Sequence, residues 1–141
     1  MLKIPSHSQN PHLHALLGLY FKQNEQYESA ITELRESLKL NPDSIYFQTQ
    51  LAFCYSKSGQ YQKVVELLES INKMKPKDPL ITQALAKAYT NLGRIEDARK
   101  LLIDILYIYP KDRFLRAALM KIGKVKAGDE NDRDDKRNKP D

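Results

Sequence analysis

Pro42, Pro76 and Pro110 stand 34 residues apart, and a fixed period of that size leaves few architectures open. A chain that repeats at such a spacing builds one small unit several times over, and each unit buries its apolar face only against its neighbours. Other columns keep the same phase. Leu17, Leu51, Leu85 and Leu119 fall in one, Phe21, Tyr55 and Tyr89 in another, and Tyr27, Tyr61 and Ile95 in a third. Small residues recur as Gly18, Ala52 and Ala86, and again as Ala30, Val64 and Ala98. Leu34, Leu68 and Leu102 line up, as do Ser37, Ile71 and Ile105. A single proline spacing arises by chance; several in-phase columns matched in size and polarity do not.

Each period splits into two helical patterns. Tyr46, Phe47, Leu51, Cys54 and Tyr55 form one helix-period stripe, Ser58-Gly59-Gln60 breaks it, and Val64, Val65, Leu67, Leu68 and Ile71 form the next. Gly59 and Gly93 share a column where a left-handed residue ends the first helix of a pair. Glu25 holds that column in the first period, so the neighbouring Asn24, which tolerates left-handed geometry, is expected to take over. Helix starts are marked by Asn10-Pro11 and Asp78-Pro79, a capping side chain before a first-turn proline, and by Asp43-Ser44 and Asp112. The pattern predicts an all-α chain of seven helices with no strand. A leader over 1–10 precedes helix pairs over 11–44, 45–78 and 79–112, and a single helix follows over 113–126. In that last helix Met120 fills the small column and Gly123 the aromatic one, as expected of a solvating cap with no following partner. The segment 127–141 is expected to be a disordered charged tail, since no hydrophobic residue occurs from Gly128 to Asp141.

These residues resemble the tetratricopeptide repeat. Leu17-Gly18, Phe21, Ala30, Leu34 and Pro42 carry the likeness in the first period, and Leu85-Ala86, Tyr89, Ala98, Leu102 and Pro110 in the third. The family's early Trp is replaced by His14, Gln48 and Thr82, and the likeness spans roughly residues 11–123. The resemblance implies a right-handed α-solenoid of antiparallel helix pairs whose first helices line a concave groove, and a protein-interaction scaffold or adaptor. First-helix columns not used for core packing would form the groove wall. They are His12, Ala15 and Leu19, then Tyr46, Thr49, Gln50 and Phe53, then Leu80, Gln83, Ala84 and Lys87, extended in the cap by Phe114, Ala117 and Lys121. With Lys22, Lys57 and Lys87 toward one edge, the wall suits a peptide or partner helix with apolar anchors and some acidic character. Packing of Tyr46, Phe53 and Leu80 against neighbouring helices, or self-association through the same stripe, are the other ways to bury it. Family members that clamp acidic chaperone tails present Lys, Arg and Asn at columns held here by Ala15, Leu19, Gln50, Leu80 and Ala84. None of these is a cation, so that ligand is not expected.

Composition narrows the chemistry. Nothing approaches the roughly 20 apolar residues of a membrane-spanning helix, and the start Met1-Leu2-Lys3-Ile4-Pro5 lacks a signal-peptide core. The lone Cys54 reads as a buried thiol. Together these point to a cytoplasmic setting. His7, His12 and His14 lack the spacing and partners of a metal site. Ser6-His7 lacks an orienting third group, and neither a phosphate loop nor a paired-carboxylate motif occurs. No catalytic residue, metal or cofactor is expected, and the chain reads as a non-enzyme. The net charge is +5. Lys124, Lys126, Arg133, Lys136, Arg137 and Lys139 are matched one for one by Asp129, Glu130, Asp132, Asp134, Asp135 and Asp141, so the excess lies in the repeats and the helix after them. Lys111, Arg113, Arg116, Lys121, Lys124 and Lys126 crowd the C-terminal end with Phe114 as the one stacking aromatic, which leaves docking on RNA or an acidic membrane as the alternative to peptide binding.

Overall fold

The computed structural model describes residues 10–123. They form seven helices and no strand: α1 (Pro11–Gln23), α2 (Tyr27–Leu40), α3 (Ile45–Lys57), α4 (Tyr61–Met74), α5 (Pro79–Asn91), α6 (Ile95–Ile108) and α7 over 113–123. The expected leader and tail lie outside the described residues, apart from Asn10, as do the last three residues expected of the capping helix.

The local signals act where the sequence puts them. Asn10 Oδ1 accepts from the His12 amide at 3.0 Å, and Ser44 Oγ from Phe47 at 3.3 Å. Asp78 Oδ1 accepts from Leu80 at 2.9 Å and Ile81 at 3.3 Å; Asp112 does the same for Phe114 and Leu115. Each cap satisfies amides that have no partner in the first turn. The three prolines sit two residues beyond the ends of α2, α4 and α6, where a ring without an N–H stops the helix.

The turn inside each pair is one backbone motif made three times. Gln26, Gln60 and Arg94 donate their amides to the carbonyls of Phe21, Tyr55 and Tyr89, each at 2.8 Å. That closing bond requires a left-handed residue just before it, and Glu25 (φ 59), Gly59 (φ 75) and Gly93 (φ 77) supply it. The expectation that Asn24 would replace a glycine here is therefore corrected. Asn24 keeps φ −89 and donates from Nδ2 to the Tyr20 carbonyl at 2.9 Å, and Glu25 itself adopts the left-handed conformation. The hydrogen-bond register fixes which position turns, and the side chain's preference does not move it.

The helices group into two compact units, one ending at Ile71 within the last turn of α4 and one beginning at Asn72. In the first unit α1 and α2 run antiparallel: Ser37 Oγ, late in α2, donates to the Pro11 carbonyl at the start of α1, 2.8 Å away. That bond lets a serine stand fully buried in a column otherwise filled by Ile71 and Ile105. Ala30, Leu34, Leu51, Val64, Val65 and Leu68 form this unit's core. In the second unit Leu85, Ala86, Ala98, Leu102, Ile105, Leu115 and Ile122 are buried. Burying one of these leucine, isoleucine or valine side chains contributes about 1.5–3 kcal/mol. Among the described residues no helix is long and apolar enough to cross a membrane.

Candidate peptide-binding surfaces

Within the first unit, α1 and α3 bring a small aromatic and cationic cluster together. Phe53 is 44% exposed, with Tyr27 edge-on at 6.4 Å between ring centroids. Lys22 Nζ stands 5.2 Å from the centre of the Phe53 ring and Lys57 Nζ 5.5 Å. Lys22 also donates to Gln50 Oε1 at 2.5 Å, which ties α1 to α3. A cation over an exposed ring contributes about 0.5–1 kcal/mol, enough to hold the phenyl group in place while part of it faces solvent. Tyr46 is 56% exposed beside the Phe47 ring, and Thr49, half-buried, turns its hydroxyl back to the Ile45 carbonyl. On α1, His12 is exposed and Leu19 half-buried, while Ala15 is buried and presents no surface.

The same unit buries Cys54 completely. Burial pushes its thiol up, and the nearby Lys22 charge offsets this only in part. A thiol held protonated and covered is a weak nucleophile. His14 Nδ1 lies 2.7 Å from Glu33 Oε2, across the α1–α2 pair. His7 and Ser6 lie outside the described residues.

In the second unit α5 and α7 flank a cleft of about 490 Å³. Gln83 and Lys87 come from α5, Phe114, Ala117 and Lys121 from α7, and the buried Ala86, Leu102 and Ile122 lie beneath them. Phe114 is 60% exposed, with the Arg113 guanidinium 5.1 Å from its ring centre. Lysines line the cleft and no carboxylate does. The volume is within the range of a site for a small ligand or a few peptide side chains. Leu80, 76% exposed, and Ala84, also exposed, are on α5 but do not line it.

Thr90, Asn91, Ala118 and Ile122 line the cleft as well and were not among the residues expected from sequence. Thr90 and Asn91 lie one helical turn beyond Lys87, so extending the α5 stripe by a turn would have found them. Ala118 and Ile122 needed the position of α7. Tyr27 in the first cluster belongs to a second helix, outside the rule that only first helices build the wall.

Comparison with known proteins agrees with this architecture. The tetratricopeptide repeat family model matches residues 21–83 and again 57–122. The two matches together span most of the chain, and the protein belongs to the tetratricopeptide-repeat family. MamA 41-end from Desulfovibrio magneticus RS-1 superposes with a TM-score of 0.78 at 19% identity, covering 85% of this chain and 68% of that one. The first repeat domain of Spaghetti (RPAP3), bound to the HSP90 peptide SRMEEVD, gives 0.73 at 18% identity over 89% of this chain and 99% of that one. The Arabidopsis OM64 domain gives 0.70 at 16% over 81% and 94%. At these identities the likeness defines the fold. No curated protein matches the chain.

Proposed function

We propose that this protein is a protein-interaction scaffold that takes a peptide or partner helix on the surfaces presented by its first helices. The observation that carries the reading is the α5–α7 cleft. Gln83 and Lys87, expected from the repeat columns, converge there with Phe114, Ala117 and Lys121 around an apolar floor and without a carboxylate. Phe114 offers an anchor contact, the alanines allow close approach, and the lysines favour an acidic neighbour in the ligand. The Phe53 cluster with Lys22 and Lys57 has the same chemistry. Exposed Tyr46, Phe53 and Leu80 do not fit the alternative in which these residues pack among helices. The role is binding rather than catalysis, and a covered single thiol accords with a reducing, cytoplasmic setting.

That the similar domain is bound to the peptide SRMEEVD supports reading a short peptide as the ligand. The columns that would clamp such a terminus are Ala15, Leu19, Gln50, Leu80 and Ala84 here, so that peptide is expected not to saturate at micromolar concentration. Selection from a displayed peptide library tests the proposal. Recovered sequences should combine an aromatic or aliphatic residue with acidic neighbours. They should be lost on Phe114→Ala with Lys87→Glu, or on Tyr46→Ala with Phe53→Ala, while the helical circular-dichroism signal stays. Binders that survive both double variants would place the interaction elsewhere. Selection of no peptide, with steep salt-sensitive binding to RNA or anionic vesicles, would favour the basic-module reading.

A further inference from the structure

A second recess lies on a different side of the first unit. It is a crevice of about 560 Å³ walled by α2 and α4 and floored by α3. None of the residues expected to bind a ligand lines it. Its floor is apolar: Leu51 and Tyr55 are buried, and Leu38 and Leu67 half-buried. Its rim is cationic. Arg35, Lys39 and Lys63 line it together with one carboxylate, Glu66. Lys39 is held by Glu36 at 2.6 Å, and Lys63 Nζ stands 5.3 Å over the Tyr55 ring. Arg35 is exposed and makes no ion pair or hydrogen bond among the described residues.

The repeat fold does not require this arrangement. One period later the columns of Arg35 and Leu38 hold Glu69 and Asn72, and one further still Ile103 and Leu106. The column of Lys63 becomes Asp97. Cationic rim and apolar floor thus occur together at one place in the sequence and not at its equivalents.

We infer that the α2–α4 crevice is a second docking site, for an acidic protein segment that places one aliphatic side chain on the Leu38–Leu67 floor and its carboxylates against Arg35 and Lys63. Charge complementarity identifies the occupant. A guanidinium with open donors pairs with a carboxylate in bidentate fashion, and such a contact adds geometry as well as attraction. Single-stranded RNA would share the charge but wants an exposed stacking face, and the only aromatic here, Tyr55, is 6% exposed and already covered by Lys63.

The test uses the full chain and a fluorescein-labelled peptide of acidic residues flanking one leucine, with amide-for-carboxylate and alanine-for-leucine controls. Binding should shift the backbone amide resonances of Arg35, Tyr55 and Lys63. Arg35→Glu with Lys63→Glu should weaken it about tenfold or more. In Lys87→Glu with Lys121→Glu, which removes the cations of the other cleft, the affinity read from the Arg35, Tyr55 and Lys63 shifts should stay within about twofold. Both pairs are exposed, so a retained helical signal certifies the fold. Equal binding of the amide control, shifts at Phe114 and Lys121 with none at Arg35, Tyr55 and Lys63, or displacement by oligouridylate at lower concentration than the unlabelled peptide would each overturn the assignment.

Discussion

The hairpins α1–α2 and α5–α6 occupy the same columns of the 34-residue period, yet they make the same close approach with different residues. In α1 the small column holds Gly18, and a Cβ there would lie 2.8 Å from Leu34 Cγ. In α5 it holds Ala86, whose methyl group is buried. The turn differs too. Gly93 takes φ 77 without a steric cost, whereas Glu25 takes φ 59 with a full side chain, a conformation worth roughly 1–2 kcal/mol of strain. The period therefore dictates the backbone path, and side-chain size is settled hairpin by hairpin according to how tightly the facing leucine has been seated.

The largest expected effect falls where the hairpins agree. Leu34 in the first unit and Leu102 in the second share a column and are both fully unexposed. Each change to Ala should cost about 2–5 kcal/mol in urea unfolding, as a buried large-to-small replacement. A loss below about 0.5 kcal/mol at either would remove that column from the core.

The small column should separate them. Ala86→Gly removes a buried methyl and the better helix former, and should cost roughly 1–2 kcal/mol. The reverse change, Gly18→Ala, would gain about 1 kcal/mol of helix propensity in an open helix. Here the new methyl meets an inner atom of a leucine that has nowhere to go. Overpacking of about 1–3 kcal/mol should win and leave the variant destabilised by about 1 kcal/mol. Thermal melts that show Gly18→Ala more stable than the parent would mean that Leu34 yields.

The turn reverses sign once more. Glu25→Gly should stabilise the first hairpin by about 1 kcal/mol by relieving the left-handed residue, although glycine adds entropy to the unfolded chain. Gly93→Ala should destabilise the second by about 1 kcal/mol, for conformational reasons alone, since nothing lies within 4 Å of the added Cβ. Equal responses at the two turns would refute the strain argument.

The smallest difference is electrostatic. The hydrogen bond from Lys39 holds the Glu36 carboxyl below its ordinary value. A lowered folded value means that the pair lends stability above the usual carboxylate range and loses it as pH falls through the folded value. Glu36→Gln should slightly flatten the acid limb of the stability profile, because both partners are well exposed. An unchanged acid limb would show that solvent screens the pair completely.

Much of the helix map was legible because its signals are local. Asn10, Ser44, Asp78 and Asp112 cap within three residues of themselves, and the prolines stop helices by covalent geometry. The misread position, Asn24 for Glu25, is instructive. Residue preference pointed to Asn, but the amide of Gln26 reaching the Phe21 carbonyl fixed the left-handed position one residue later. The candidate site was legible only in outline. Helical phase separates Lys87, Gln83 and Phe53 from the core columns, but it also selected Ala15, which is buried. Periodicity says which face a residue is on and not how closely the next helix covers that face.

By itself, then, the sequence determined the repeat, the seven helices among the described residues and the placement of most caps, since breaks, caps and helix-period stripes are local signals. Tertiary structure alone decided which exposed columns converge. Lys87 meets Phe114 in one cleft, and Arg35 meets Lys63 in another, although 27 and 28 residues separate the members of these two pairs in the chain. Such distances are bridged within each unit by helices seated on a shared floor, Leu51 and Tyr55 beneath Arg35 and Lys63, and Ala86 and Leu102 beneath Lys87 and Phe114. No local pattern encodes how those floors are packed.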